Sequence, residues 1–220
     1  MTAAENGQFR DFFYDVRPIG LKEPLAETLG AFKQESVELE YSYIDAVKAA
    51  GHACPTVTGA FLCCQESLEA LYEGETPVRG EIAITIHGKP EEGALGVMAQ
   101  VFTYLTGAAP DTGFKGLGSR FKRRGLLTFD PEKIDEEAIC CRFERLDTGR
   151  SVTVRFFPWL IPYPGEKAKR LATLMQQVVS GEADDEARNK FQSLWMEKIQ
   201  TMIIERKEIG NWLRVDAAGD

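Results

Sequence analysis

The sequence lacks the features that mark secreted, membrane-spanning and zinc-ribbon proteins. Its N-terminus has no basic region followed by an apolar run, which argues against a signal peptide. No stretch approaches the roughly 18 apolar residues of a membrane span. The five cysteines are odd in number, include two adjacent pairs and contain no Cys-x-x-Cys spacing, so neither a disulfide framework nor a zinc ribbon is indicated. We therefore predict a cytoplasmic protein.

Positive charge is also in short supply, because 26 Lys and Arg face 34 Asp and Glu, for a formal net charge of -8. Nonspecific nucleic-acid binding depends on neutralising phosphates, and docking on an anionic bilayer depends on basic clusters. We therefore expect no nucleic acid and no membrane among the partners. The 220 residues are 44% hydrophobic and 27% charged, which is an ordinary globular composition and enough for one core.

Apolar periodicity predicts an α+β fold, with a small mixed or antiparallel sheet packed by helices and a C-terminal helical hairpin. Cleanly alternating residues predict a strand over 81–87, and hydrophobic runs predict further strands. The domain boundaries that we predict are an arm over residues 1–22, a core over 23–208 and a tail over 209–220. The predicted helices cover 23–50, 55–73, 93–106, 167–180 and 184–207, and the further strands cover 126–129, 139–145 and 151–157.

The segment Gly51-His52-Ala53-Cys54-Pro55 carries the strongest chemical signal. Gly51 is a natural helix end, and Pro55 suits the first turn of the next helix. A thiol at a helix N-terminus lies beside unpaired N–H groups with partial positive charge, which favour its ionisation. Because thiolate and imidazole are both transition-metal ligands, the segment predicts either a metal site or an activated cysteine, against the alternative that both residues only pack.

The same segment, followed by a helix, resembles the Gly-His-x-Cys-Pro-Gly signature of the FmdE family, named after a component of molybdenum and tungsten formylmethanofuran dehydrogenases. Met98–Gly107 resembles the family's second helix, and Val179–Glu186 with Phe191 and Trp195 resembles its closing hairpin. The resemblance extends over about residues 40–205. Three departures stand out: Thr56 replaces the signature's last glycine, Ala108 stands where the family has a loop cysteine, and the C-terminal zinc finger of some members is absent.

The resemblance implies a homodimer that binds a divalent transition metal, zinc above all, near the His-x-Cys turn. His52 and Cys54 are then the expected ligands. We expect His87 as a third ligand, because it ends a predicted strand on a face of small side chains that could approach a helix end closely. The alternative for His87 is a solvent-facing residue at a strand end.

A glycine-rich basic segment over residues 113–125 has five cations and no acid. Glycine lets backbone N–H groups converge on an anion, and cations add charge. The segment lacks the Gly-Lys-Ser/Thr ending of a phosphate-binding P-loop and the strand–helix setting of a dinucleotide site. We predict anion binding by Lys115, Arg120 and Lys122, with an anionic small molecule as the ligand; the alternative is a solvated loop.

Three functions remain open from the sequence. The first is a metal-binding FmdE-like protein of unknown reaction. The second is an accessory protein for a molybdenum or tungsten oxidoreductase. The third is a thiol enzyme in which Cys54 is the nucleophile and His52 the base. Whether the protein is an enzyme is left undecided by these alternatives.

Overall fold

The architecture is seen in a computed structural model that describes residues 7–34 and 37–217. Helices and strands follow one another without simple alternation. The helices are α1 (Pro24–Thr28), α2 (Tyr43–Ala50), α3 (Pro55–Tyr72), α4 (Leu95–Thr106), α5 (Gly165–Ser180), α6 (Asp185–Gln200) and α7 (Ile209–Trp212). The strands are β1 (Ile19–Lys22), β2 (Glu38–Tyr41), β3 (Ile82–His87), β4 (Gly116–Leu117), β5 (Phe121–Lys122), β6 (Leu127–Asp130), β7 (Ile139–Arg145), β8 (Ser151–Phe156) and β9 (Leu213–Ala217).

A five-stranded mixed sheet organises the fold, with strand order β6-β3-β7-β8-β9. Only the β3–β6 pair is parallel, and the other three pairs are antiparallel. Strands β1 and β2 form a separate antiparallel pair, as do β4 and β5. The structure thus confirms the predicted α+β class, and α5 and α6 form the predicted helical hairpin.

The hydrophobic core lies between one face of this sheet and the helices. Ile82, Ile84 and Ile86 of β3 are all fully buried on that face. Helix α3 is buried along nearly its whole length, and Gly59 lets it approach the sheet, because a Cβ at this position would lie 2.4 Å from the Phe156 ring. The side chains that alternate with the buried isoleucines point to the opposite face of the sheet.

The predicted helix over residues 23–50 is wrong in its middle. Helix α1 ends at Thr28, strand β2 occupies Glu38–Tyr41, and α2 starts only at Tyr43. A capping box explains the late start, because Ser42 accepts from the backbone N–H of Asp45 while the Asp45 carboxylate accepts from the N–H of Ser42. Pairing of β2 with β1 outweighs the apolar spacing that suggested one helix.

The predicted arm and tail both belong to the core. Phe13 is buried and packs edge-to-face against Tyr43, with 5.0 Å between ring centroids. Trp212 is fully buried, and the residues after it form β9 at the edge of the central sheet. The boundaries drawn from sequence missed this because β9 is short and pairs only with β8, which is distant along the chain.

The C-terminal hairpin carries a small hydrophobic cluster of its own around Leu171, Leu174 and Leu194. Helix α6 continues into a single π-helical segment over Thr201–Glu205, which contacts α3. Across residues 7–34 and 37–217, no helix combines the length and the apolar character needed to cross a membrane.

Candidate functional site

The His52–Cys54 turn joins α2 to α3. Gly51 ends α2 in the left-handed conformation, with φ of +77°, a backbone state that favours glycine. Cys54 is the N-cap of α3, and its Sγ accepts from the backbone N–H of Val57 at 3.4 Å. Its thiol is half-buried. The cysteine thus occupies the helix N-terminus that the sequence predicted for it, at the start of an 18-residue helix.

Hydrogen bonds from two helices hold this turn in place. Thr58 Oγ1 donates to the Cys54 carbonyl at 2.9 Å, so the buried Tyr43 hydroxyl, 2.7 Å from the same Oγ1, is the donor of that pair. Trp195 Nε1 of α6 donates to the Ala53 carbonyl at 2.8 Å. The carbonyls of Ala53 and Cys54 are therefore both held by hydrogen bonds, which limits the positions available to the His52 and Cys54 side chains.

The His52 ring is exposed and its Nδ1 lies 3.0 Å from the Ala50 carbonyl oxygen. A carbonyl only accepts, so this contact requires a proton on Nδ1. In the neutral imidazole, the lone pair then resides on Nε2. A histidine oriented by a carbonyl through one ring nitrogen, with the other nitrogen free, has the arrangement usual for a metal ligand.

His87 lies elsewhere in the fold. Its alternation with the buried isoleucines places it on the sheet face opposite the core, and the described residues contain no group of three candidate ligands that would join it to His52 and Cys54. Its Nδ1 lies 3.2 Å from the Glu132 carbonyl and 3.8 Å from an oxygen of Asp130, its parallel-strand neighbour. It also lines a cavity of about 370 Å³ at the start of α4, together with the exposed Trp159.

A metal would find two donors of suitable chemistry at the turn, an imidazole nitrogen and a thiol sulfur. A structural zinc takes four ligands. In the part of the chain that the structure describes, no group of three or more His, Cys, Asp or Glu side chains could hold a metal ion. Among the described residues, the turn therefore offers at most two donors toward a four-ligand shell.

The other four cysteines are buried, and three of them belong to the hydrophobic core. Cys63, Cys64 and Cys141 are fully buried, and burial raises the pKa of each thiol well above its usual value. Cys140 is buried on the other face of β7, and desolvation raises its pKa to about 11. Cys54 differs from these four cysteines by its partial exposure.

The basic segment divides into one buried cation and four exposed ones. Arg123 is buried and its Nη2 donates to Glu23 Oε1 at 2.5 Å, while Arg79 Nη1 donates to Glu23 Oε2 at 2.7 Å. Sequence reasoning missed Glu23, although an acid directly before a proline at a helix start is a recognisable N-cap position, and Glu23 also accepts from the N–H of Leu25. The predicted anion-binding residues Lys115, Arg120 and Lys122 are exposed.

No protein-family model matches the sequence, and no curated protein matches it either. The geometry of the His52–Cys54 turn is therefore the main evidence for a function. The resemblance to the FmdE family is limited to the residues named above.

Proposed function

We propose that the protein binds a divalent transition metal ion, zinc above all, through His52 Nε2 and the Cys54 thiolate. The observation that carries this proposal is the contact between His52 Nδ1 and the Ala50 carbonyl, because it leaves the lone pair on Nε2, two residues before a half-buried cysteine at a helix N-terminus. The same turn is the part of the sequence that resembles the FmdE signature.

The remaining coordination positions are filled from outside the chain in this proposal, by water, by a substrate or by a second copy. A site with open positions is the form that catalytic rather than structural zinc takes, and a bound ion there would supply Lewis-acid chemistry. The chain's own part is to orient His52 through Ala50, to hold Cys54 at the start of α3, and to keep the Ala53 peptide fixed through Trp195.

The test is metal stoichiometry after loading with zinc and removal of excess ion, with cobalt substitution as a spectroscopic check for sulfur ligation. We expect wild type to hold about one ion per chain or per pair of chains, and His52→Ala and Cys54→Ala to bind at least about tenfold more weakly. His87→Ala is the matched control and should bind as wild type does.

Three results would contradict the proposal. Wild type without stoichiometric metal would exclude it, and so would full retention by both turn variants. If His87→Ala loses the ion as completely as His52→Ala does, His87 is also a ligand. The proposal that the chain supplies only His52 and Cys54 would then be wrong. Size-exclusion chromatography with and without zinc tests the homodimer that the resemblance implies.

A thiol enzyme is the second candidate, favoured by the hydrogen bond from the Val57 N–H to Cys54 Sγ. In this alternative Cys54 is the nucleophile and His52 Nε2 accepts its proton. Stoichiometric alkylation of metal-free protein at Cys54, slowed by His52→Ala, would support it. A cobalt–thiolate absorption band would favour the metal proposal instead. If the protein is instead an accessory protein for a molybdenum or tungsten oxidoreductase, we expect His52→Ala and Cys54→Ala to bind that oxidoreductase as wild type does.

A further inference from the structure

The hairpin around β4 and β5 is a cationic surface in an acidic protein. Four of its cations are exposed: Lys115, Arg120, Lys122 and Arg124. None of their side chains forms an ion pair within residues 7–34 and 37–217. With Arg123 the segment carries five positive charges and no acid, so removing it from the net charge of -8 leaves -13 on the rest of the chain.

Two large apolar side chains accompany these cations on the surface. Phe114 is 59% exposed and Leu117 is 53% exposed. Isolated exposed apolar residues are common, but here two lie three positions apart in a segment whose exposed cations have no acidic partner in the described chain. Aromatic side chains and arginine are the residues most enriched at the centres of protein interfaces. We call residues 114–124 the basic hairpin.

The basic hairpin is held in a defined shape. Its buried root is Arg123, whose guanidinium is paired with Glu23 and whose backbone N–H donates to the Lys115 carbonyl at 3.2 Å. Gly116 takes a φ of +87°, and a Cβ there would lie 1.9 Å from the Phe121 carbonyl oxygen, so the turn requires glycine. A preformed surface loses less conformational entropy on binding than a flexible loop does.

We propose that the basic hairpin docks an acidic peptide segment of a partner protein that also carries an aromatic or large apolar side chain. Carboxylates of the partner pair with Lys115, Arg120 and Lys122, and its apolar side chain packs on Phe114 and Leu117. A narrow acidic segment is the anion that the charge distribution favours. A bilayer surface or a nucleic-acid duplex would also have to approach the strongly acidic remainder of the chain.

The experiment measures fluorescence anisotropy of labelled poly-L-glutamate and of a labelled glutamate–tyrosine copolymer in the presence of the full chain. We expect both probes to bind wild type at low salt, to weaken as salt is added, and the copolymer to bind more tightly. The triple variant Lys115→Ala, Arg120→Ala, Lys122→Ala should bind both probes at least about tenfold more weakly. Phe114→Ala with Leu117→Ala should remove only the copolymer's advantage.

The matched control removes three exposed cations elsewhere, Lys89, Arg170 and Lys190, and should bind within about twofold of wild type. Equal weakening in this control would show a general charge effect and overturn the proposal, as would a wild type that binds neither probe. Tighter binding to phosphatidylserine vesicles or to a single-stranded oligonucleotide, lost in the triple variant, would also overturn it. Thermal midpoints of all variants should match that of wild type, because every changed side chain is exposed.

Discussion

At the scale of single residues, chemistry and burial separate side chains that look alike in the sequence. Cys54 is half-buried at a helix N-terminus, whereas the other four cysteines are buried. Arg123 belongs to a run of five cations. It is the buried member of that run, and its guanidinium is paired with Glu23. His52 and His87 each contact a backbone carbonyl through Nδ1, but only His52 has a cysteine two positions away.

Thiol reactivity should single out one of the five cysteines. We expect native protein at pH 8 to react with a disulfide reagent at Cys54 alone, because burial both shields the other thiols and raises their pKa values. The stoichiometry of released chromophore measures this. The Cys54→Ser variant should react with less than one equivalent until denaturant exposes the remaining four thiols, and rapid reaction of that native variant would contradict the assignment.

The buried carboxylate of Glu23 should matter more than any exposed ion pair. Glu23→Gln leaves the buried Arg123 without its counter-charge, and we expect the free energy of unfolding to fall by about 3–5 kcal/mol. The control is Glu69→Gln, which breaks the exposed pair with Arg17 and should cost less than about 1 kcal/mol. Denaturant unfolding measures both, and equal losses would show that burial does not set the difference.

At the scale of elements, close approach and a few long-range contacts place the site. Helix α3 lies against β8 because Gly59 leaves room for Phe156. Helix α6 reaches the turn through Trp195, which is tied to Ala53 across 142 positions of sequence. Neither contact has a signature in the local pattern of residues, so the sequence placed Trp195 only in the stretch that resembles the closing hairpin of the FmdE family.

Gly59→Ala tests the packing of α3 on the sheet. The substitution improves helix propensity by about 1 kcal/mol, but the new Cβ collides with the Phe156 ring, and we expect a net destabilisation of about 1–3 kcal/mol. Gly165→Ala, at the start of α5 with open space around it, is the control and should be neutral or slightly stabilising. Unfolding by urea reports both. A stabilised Gly59→Ala would show that Phe156 can move aside.

Trp195→Phe tests the link between the hairpin and the turn. It keeps an aromatic ring but removes the donor to the Ala53 carbonyl, so we expect a loss of about 1 kcal/mol in unfolding free energy. Trp159→Phe is the control, since Trp159 is 57% exposed and its indole N–H has no partner in residues 7–34 and 37–217. If Trp195→Phe and wild type have the same free energy of unfolding, the hydrogen bond from Trp195 to the Ala53 carbonyl does not stabilise the fold.

At the scale of the whole molecule, both ends of the described chain complete one core. Phe13 and Trp212 belong to the same hydrophobic cluster as the central strands. Strand β9 extends the sheet beyond β8, so the C-terminal segment covers an edge that would otherwise be unpaired. The first and last segments that the structure describes therefore pack into the main core.

Trp212→Ala tests this dependence on the C-terminal segment. Trp212 is fully buried against Phe156, and its indole donates to the Lys207 carbonyl at 2.9 Å. We expect the free energy of unfolding to fall by about 3–5 kcal/mol. The exposed Trp159→Ala should cost less than about 1 kcal/mol in the same assay. A small loss for Trp212→Ala would mean that the C-terminal segment is dispensable.

The sequence by itself determined the α+β class, most of the longer helices, four of the five strands of the central sheet, and the position of Cys54 at a helix start. These depend on local periodicity, caps and turns, which neighbouring residues encode. Tertiary structure alone decided that residues 38–41 form a strand, that 213–217 belong to the sheet, and that His87 lies apart from the His52–Cys54 turn. Those outcomes depend on pairing and packing between segments far apart in the chain, which no local pattern records.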